Sequence, residues 1–380
     1  MHWRARFKRW LDRWLTRAPG DDGPAFTEIP SAERRAFRKP PTRSLQLALQ
    51  GGGAHGAFTW GVLDRLLDED GLDFPSISGA SAGALNGAML VCGYAEGGRA
   101  GAQKALTRLW DGVAGIGALV APLQTQQKLA ADFGLRPAEM MQAMMRLWSP
   151  AQLNPFNLNP LRTLLDGLVD VEALRHNPAM RLFVSATNVE TGQPRIFSGD
   201  DLSIDALLAS ACLPFLNHAV TIDGVAYWDG GYSANPPLAP LIDFGFTDEC
   251  ADKVADERAN NGNDADAREI LLVQINPERR SGTPSTASDI MHRVNEITFN
   301  ASLLAELRVI EAMQKQAAHG DNRAARNPLR LHRIALHDEV ADARAASAAS
   351  LDGAFHRELR DHGRRAAERW LTSASREATP

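Results

Sequence analysis

Apolar and polar positions fall into a helical order at the start of the chain. Within MHWRARFKRWLDRWLTRAPG, Trp3, Phe7, Trp10, Leu11, Trp14 and Leu15 recur at helical spacing, and Arg4, Arg6, Lys8, Arg9, Arg13 and Arg17 occupy much of the rest. This predicts a basic amphipathic helix over 1–18, with an aromatic stripe that lies in a membrane interface or docks on its own domain. Pro19 and Gly20 end it, and 19–43, with Pro30, Pro40 and Pro41, reads as a polar linker. From Ser44 the pattern changes. SLQLALQ alternates, then runs apolar as a buried strand does, and stops at three glycines. AFTWGVLDRLLDED follows, apolar at 58, 62, 63, 66 and 67, which predicts a helix of about four turns. FPSIS is a short second strand and ASAGALNGAMLVCGYA a largely apolar helix. Such a β-α-β-α unit predicts a parallel sheet covered by helices on its faces.

Further on the signals are mixed. Residues 101–176 read as helix and loop, broken by Pro137, Pro150, Pro155 and Pro160, with Met140, Met141, Met144 and Met145 paired at helical spacing. That cluster fits a core gap or a flexible apolar face over a lipid site. RLFVSATNV (181–189) and REILLVQIN (268–276) are strong strand candidates, and DALLASACLPF (205–215) reads as a helix ending at Pro214. TIDGVAYWDGGYSANPP (221–237) reads as strand, turn, strand and a loop of glycine and proline. A solvated insertion over 247–268, a long helix over 287–316, a last strand over 330–336 and a charged helix over 351–371 complete the expectation.

Composition narrows the class. Apolar residues make up 44% and charged residues 23%, which suits a globular domain, and a net charge of −5 offers no argument for nucleic-acid binding. No apolar run approaches the roughly 18–20 residues that span a bilayer. Three scattered cysteines, Cys92, Cys212 and Cys250, are too few for a disulfide framework or a zinc site. The basic N-terminus lacks an apolar core and a small-residue cleavage site, so it reads as retained. A cytoplasmic protein, peripheral on a membrane through residues 1–18, is the expectation.

The candidate chemistry centres on Ser81. Gly79-Ala80-Ser81-Ala82-Gly83 follows a strand and opens a helix, the setting of a nucleophile elbow. Glycine on either side relieves crowding, and the helix N-terminus favours developing negative charge. Gly51-Gly52-Gly53-Ala54-His55-Gly56 also joins a strand to a helix. A dinucleotide fingerprint there expects an acidic residue about 20 positions on, where Ser78-Gly79 and the elbow stand instead. Neighbouring parallel strands end on one edge, so the better account is an oxyanion hole formed by Gly51, Gly52, Gly53 and Ala54 and aimed at Ser81. His55 more plausibly contacts phosphate or solvent, or caps the loop, than acts as base.

The eight histidines downstream of the elbow mostly lie in helical or charged surroundings, without a recognisable loop after a strand. Asp229, with Gly230 and Gly231 behind the short strand VAYW, sits where a carboxylate approaches another backbone closely. An aspartate accepts a serine proton directly if the site is dry enough to raise its pKa. A Ser81–Asp229 dyad is the reading.

These stretches, GGGAHG, GASAGALN, ASACLPF and DGG in this order, resemble the patatin-like phospholipases over roughly 44–240, with 241–380 as the continuation of the fold. The resemblance implies a three-layer α/β/α fold with a mainly parallel sheet, and a lipid acyl hydrolase that needs neither metal nor cofactor. It implies Ser81 as nucleophile, Asp229 as base, and the 51–56 loop as oxyanion hole, with lipid or phospholipid as substrate. Many members carry Arg or Lys where His55 stands, so a site relying on that charge would be weakened here, or pH-dependent near neutrality. The alternatives are a silent lipid-binding scaffold and a Ser-His-Asp esterase using His332 or His337.

Overall fold

The computed structural model describes residues 43–132, 148–242, 268–319, 329–336 and 350–377. The helix expected over 1–18, the linker as far as Thr42, the methionine cluster, the 247–267 insertion and His337 lie outside the described residues. All described residues belong to one unit, Thr42–Pro380.

The strands are β1 (Arg43–Leu49), β2 (Leu72–Asp73), β3 (Ser76–Ala80), β4 (Arg181–Asn188), β5 (Pro194–Phe197), β6 (Val220–Ile222), β7 (Val225–Asp229), β8 (Arg268–Gln274) and β9 (Leu329–Ala335). The helices are α1 (Gly56–Leu66), α2 (Ala82–Asp132), α3 (Pro150–Leu153), α4 (Pro160–Leu168), α5 (Val171–His176), α6 (Ile204–Ser210), α7 (Ala287–His319) and α8 (Gly353–Glu377). The sheet runs β6-β7-β4-β3-β1-β8-β9, with β2 beside β1 and β5 beside β4. β4, β3, β1, β8 and β9 are mutually parallel, whereas β5 and β7 pair antiparallel with β4.

Strand alternation divides the core. Leu45, Leu47 and Leu49 of β1, and Leu271 and Val273 of β8, enter one buried cluster with α1, α2 and α8. Ala48, Ile270 and Leu272 point the other way, to Leu303 and Ile310 of α7 and to Leu238 and Leu241. Helices therefore cover both faces, which is why the parallel strands read as nearly continuous apolar runs.

Several elements end where local chemistry says they must. The helix after the glycine loop stops at Leu66, three turns rather than four, because the chain turns at Leu67–Gly71 to pair Leu72–Asp73 with β1. α2 is broken at Gly97 and at Gly98, whose φ is 60°. α6 closes at Ser210, well before Pro214. The β6–β7 hairpin turns through Asp223 (φ 52°) and Gly224 (φ 81°), a pair suited to a two-residue turn. β5, which opens with a proline, was not anticipated, and it lies off the main path of the sheet against β4.

Candidate functional site

Parallel strands β1, β3 and β8 end on the same edge of the sheet, and the site forms there. Ser81 links β3 to α2 with φ 50°, a left-handed conformation that strains a non-glycine residue and marks a sharp elbow. Its N–H donates to the buried Ser210 Oγ at 2.8 Å, and its carbonyl accepts from Leu85 N–H at 3.1 Å. Gly79 and Gly83 are required by contact: a Cβ on Gly79 would lie 2.7 Å from Ala84 N, and one on Gly83 would collide with the Leu49 carbonyl.

The glycine loop closes over this elbow. A Cβ on Gly51 would lie 2.6 Å from the Ala80 carbonyl oxygen and 2.8 Å from Ser81 Cβ. Gly53–His55 form a short 3-10 turn running into α1, with Gly53 at φ 61°. The leading N–H groups of such a turn, those of Gly52, Gly53 and Ala54, have no intrahelical acceptor. Gly51 differs from the expectation. Its N–H is donated to Asn235 Oδ1 at 2.7 Å, so it serves as an anchor and not as an oxyanion donor. Gly56 packs on Ala82, where a Cβ would come within 2.6 Å of the alanine methyl.

Asp229 is the last residue of β7, not part of the loop behind it, and it is fully buried. Its Oδ1 accepts from Gly231 N–H at 2.7 Å, and its backbone is held by Cys212 O and Thr187 Oγ1, both at 2.8 Å. Gly230 packs against Ser185 and Gly231 against the Phe299 ring. The Ser81 hydroxyl meets the Asp229 carboxyl, yet no described group makes a hydrogen bond of regular geometry to Oδ2. Burial pushes this carboxyl up to about 7, against the opposing pull of the Gly231 N–H and the Ser81 hydroxyl. Burial, reinforced by the Asp229 charge, likewise raises Cys212 to about 11 and Tyr232 to about 12.

His55 does not behave as a residue facing phosphate or solvent. It is 4% exposed, and burial, aided by the Arg280 charge and partly offset by Glu296, lowers its pKa to about 4. The imidazole is neutral at neutral pH, which removes the expected titration of residue 55 near pH 7. His332 is occupied elsewhere: it stands on β9, paired with Glu269 at 3.1 Å. His218 and His356 bond to the carbonyls of Asn154 and Ser350.

A family model described as patatin-like phospholipase matches residues 47–242, which contain the glycine loop, the elbow and Asp229. The chain belongs to the patatin-like phospholipase family. Membership makes lipid acyl hydrolysis the general activity of this patatin-like chain, and the mixed α/β architecture with a mostly parallel sheet is the patatin fold. Among solved structures it is similar to VipD from Legionella pneumophila, at 15% identity and a TM-score of 0.35, over 85% of this chain and 67% of that one. That likeness is too distant to add to the family assignment. No curated protein matches the chain. Among the described residues, no helix is long and apolar enough to cross a membrane.

Reading for motifs missed the residues that hold the patatin-like site together. Gln50, Asn235, Asn276 and Asn300 are buried side-chain amides around Gly51, and Ser210 is the acceptor for the elbow. The available signal was polar residues at the ends of buried parallel strands: Gln50 directly follows β1, and Asn276 stands two residues beyond β8.

Proposed function

We propose that this chain is a serine acyl hydrolase that cleaves fatty-acyl esters of lipids or phospholipids through a Ser81–Asp229 dyad and an acyl-enzyme. The observation that carries the reading is the buried Asp229 carboxyl, which meets the Ser81 hydroxyl and, among the described residues, has no cationic partner. With its pKa near 7, it accepts a proton at neutral pH and returns it without a large penalty.

Asp229 takes the Ser81 proton as Oγ attacks the ester carbonyl. The N–H groups of Gly52, Gly53 and Ala54, at the positive end of α1, receive the developing oxyanion. The tetrahedral intermediate collapses, and Asp229 hands its proton to the departing alcohol or lysolipid. Water then gives a proton to Asp229 as it attacks the acyl-enzyme, and Asp229 passes that proton to the departing Ser81 Oγ, which releases the fatty acid and restores the free dyad. No step calls for a metal or an organic cofactor. Contact with the membrane surface through residues 1–18, on a protein peripheral to the cytoplasmic face, belongs to the same proposal and rests on their alternation of tryptophan and arginine.

The test compares wild type with Ser81→Ala on a medium-chain p-nitrophenyl ester and on phospholipid vesicles, with chelator present. Wild type should hydrolyse both and Ser81→Ala neither, with unchanged thermal melting. A Ser81→Ala chain that keeps its ester turnover overturns the assignment. Deletion of residues 1–20 should weaken vesicle binding and spare the soluble ester.

A further inference from the structure

The glycine loop is gripped by a closed net of side-chain amides, and part of that net lies beyond the family-matched segment. Gln50 Oε1 accepts from the backbone N–H groups of Ile275 (2.9 Å) and Asn276 (2.8 Å), while its Nε2 donates to Asn300 Oδ1 at 2.8 Å. Asn300 Nδ2 donates to the Pro277 carbonyl at 2.9 Å. Asn276 Nδ2 donates to the Gly51 carbonyl at 2.7 Å, and Asn235 binds the same residue on both sides, through its N–H at 2.7 Å and its carbonyl at 3.2 Å. Gln50, Asn235 and Asn300 are at most 2% exposed, and Asn276 is 9% exposed. The matched segment ends at residue 242, before Asn276 and Asn300.

The carbonyl that Asn276 grips belongs to the peptide joining Gly51 to Gly52. In a trans peptide the C=O and N–H lie in one plane and point in opposite directions. Fixing the Gly51 carbonyl therefore fixes the direction of the Gly52 N–H, the first of the proposed oxyanion donors. Glycine on both sides leaves this peptide free to rotate unless something else holds it. A hydrogen bond to the carbonyl also polarises the amide and strengthens its N–H as a donor. Gly52 itself packs on this segment, since a Cβ there would lie 2.9 Å from Ile275 Cδ1.

We infer that Asn276 is a positioning residue for the oxyanion hole, that Asn300 supports it through Gln50 and the Pro277 carbonyl, and that the catalytic site extends past the family-matched segment into the end of β8 and α7. The inference rests on the acyl-hydrolase reading. Asn276 touches no reacting atom; it acts by aiming the Gly52 N–H.

The test uses the full chain carrying Asn276→Asp, which keeps the size of the side chain and removes the donor, beside Asn276→Ala and Asn300→Asp. Steady-state kinetics on the p-nitrophenyl ester are measured together with the rate of Ser81 labelling by a fluorophosphonate, whose phosphonyl oxygen occupies the same hole. Both are normalised to active sites counted by the label at saturation. For Asn276→Asp, kcat should fall by roughly 10- to 100-fold with KM within about twofold, and the labelling rate should fall by a similar factor. Asn276→Ala should move in the same direction, and Asn300→Asp less far. A folded Asn276→Asp chain with wild-type kcat per active site overturns the inference, as does a loss confined to the number of active sites. If Asn276→Asp does not fold, Asn300→Asp is judged by the same two rates. A wild-type chain that turns over no ester and takes no label overturns the acyl-hydrolase reading and this inference with it; an active wild type beside an equally active variant overturns the inference alone.

Discussion

Asp64 and Asp229 are both buried carboxylates, 5% and 0% exposed, and their surroundings are opposites. Asp64, on α1, accepts from Arg360 Nη2 at 2.9 Å and Arg364 Nη1 at 2.6 Å, both reaching across from α8. Arg360 also stacks over Trp60, and the two helices approach closely at Gly61 and Gly363, where a Cβ would strike the partner's backbone. Asp64 thus pairs with two arginines, and its role is to join two helices. Among the described residues Asp229 has one backbone N–H, the serine hydroxyl and no cation, so its charge is poorly stabilised and its proton is exchangeable near neutral pH. Burial alone does not distinguish these two carboxylates; their partners do.

The largest expected effect breaks the comparison on the reactive side. Asp229→Asn should lower kcat by about 10³-fold or more, since removal of a general base typically costs about 10²–10⁴. Turnover within tenfold of wild type would show that another group takes the Ser81 proton. On the structural side, Asp64→Ala should cost about 2 kcal/mol, less than a fully buried pair because both arginines are about one-third exposed and can be hydrated. It should appear as a Tm lower by several degrees with kcat within about twofold. A large loss of kcat without a loss of Tm would erase the distinction.

Linkage sharpens the contrast. The Asp229 pKa in the folded protein, about 7, lies above the ordinary carboxylate value of about 3.9. Between those values the folded state keeps a proton that the unfolded state has released, so this group withdraws stability as pH rises through the window. Asp229→Asn should therefore melt higher than wild type at pH 8, with the difference gone at pH 3. The same value sets the wild-type rate: kcat/KM should fall below about pH 7 as the base is protonated. The smallest effect is expected at His55. Because its pKa is lowered to about 4, His55→Gln should leave the rate midpoint near 7; a midpoint that moves with this substitution would assign the titration to the imidazole.

Strands and their order of appearance were legible because period-two alternation and buried apolar runs are local patterns. Boundaries were less so. SLQLALQ and RLHRIAL were recognised to within a residue, but the helix after the glycine loop was drawn a turn too long, since LDED continues its polarity while the chain turns to place Leu72–Asp73 beside β1. β5 went unread because PRIF carries too short a pattern and opens with proline. In the candidate site, Ser81 and the glycines that relieve its turn were legible from spacing, and Asp229 from the DGG that follows a short strand. Gly51 is read as part of an oxyanion hole and His55 as a contact to phosphate or solvent or a cap of the loop; both depend on partners far along the chain, Asn235 in one case and the burying environment in the other.

By itself, the sequence determined which segments are buried strands, that two glycine-bordered turns follow parallel strands, and that a serine and an aspartate stand where such turns permit chemistry. Tertiary structure alone decided that Oδ2 of Asp229 lacks a regular partner among the described residues, that the imidazole of His55 is neutral, and that Asn276 grips Gly51 and Asn300 grips Gln50 from more than two hundred residues away. The physical reason is range. Periodicity and turn preference are set by neighbours along the chain, whereas a pKa or the direction of one N–H is set by whatever folding brings within a few ångströms, regardless of its place in the sequence.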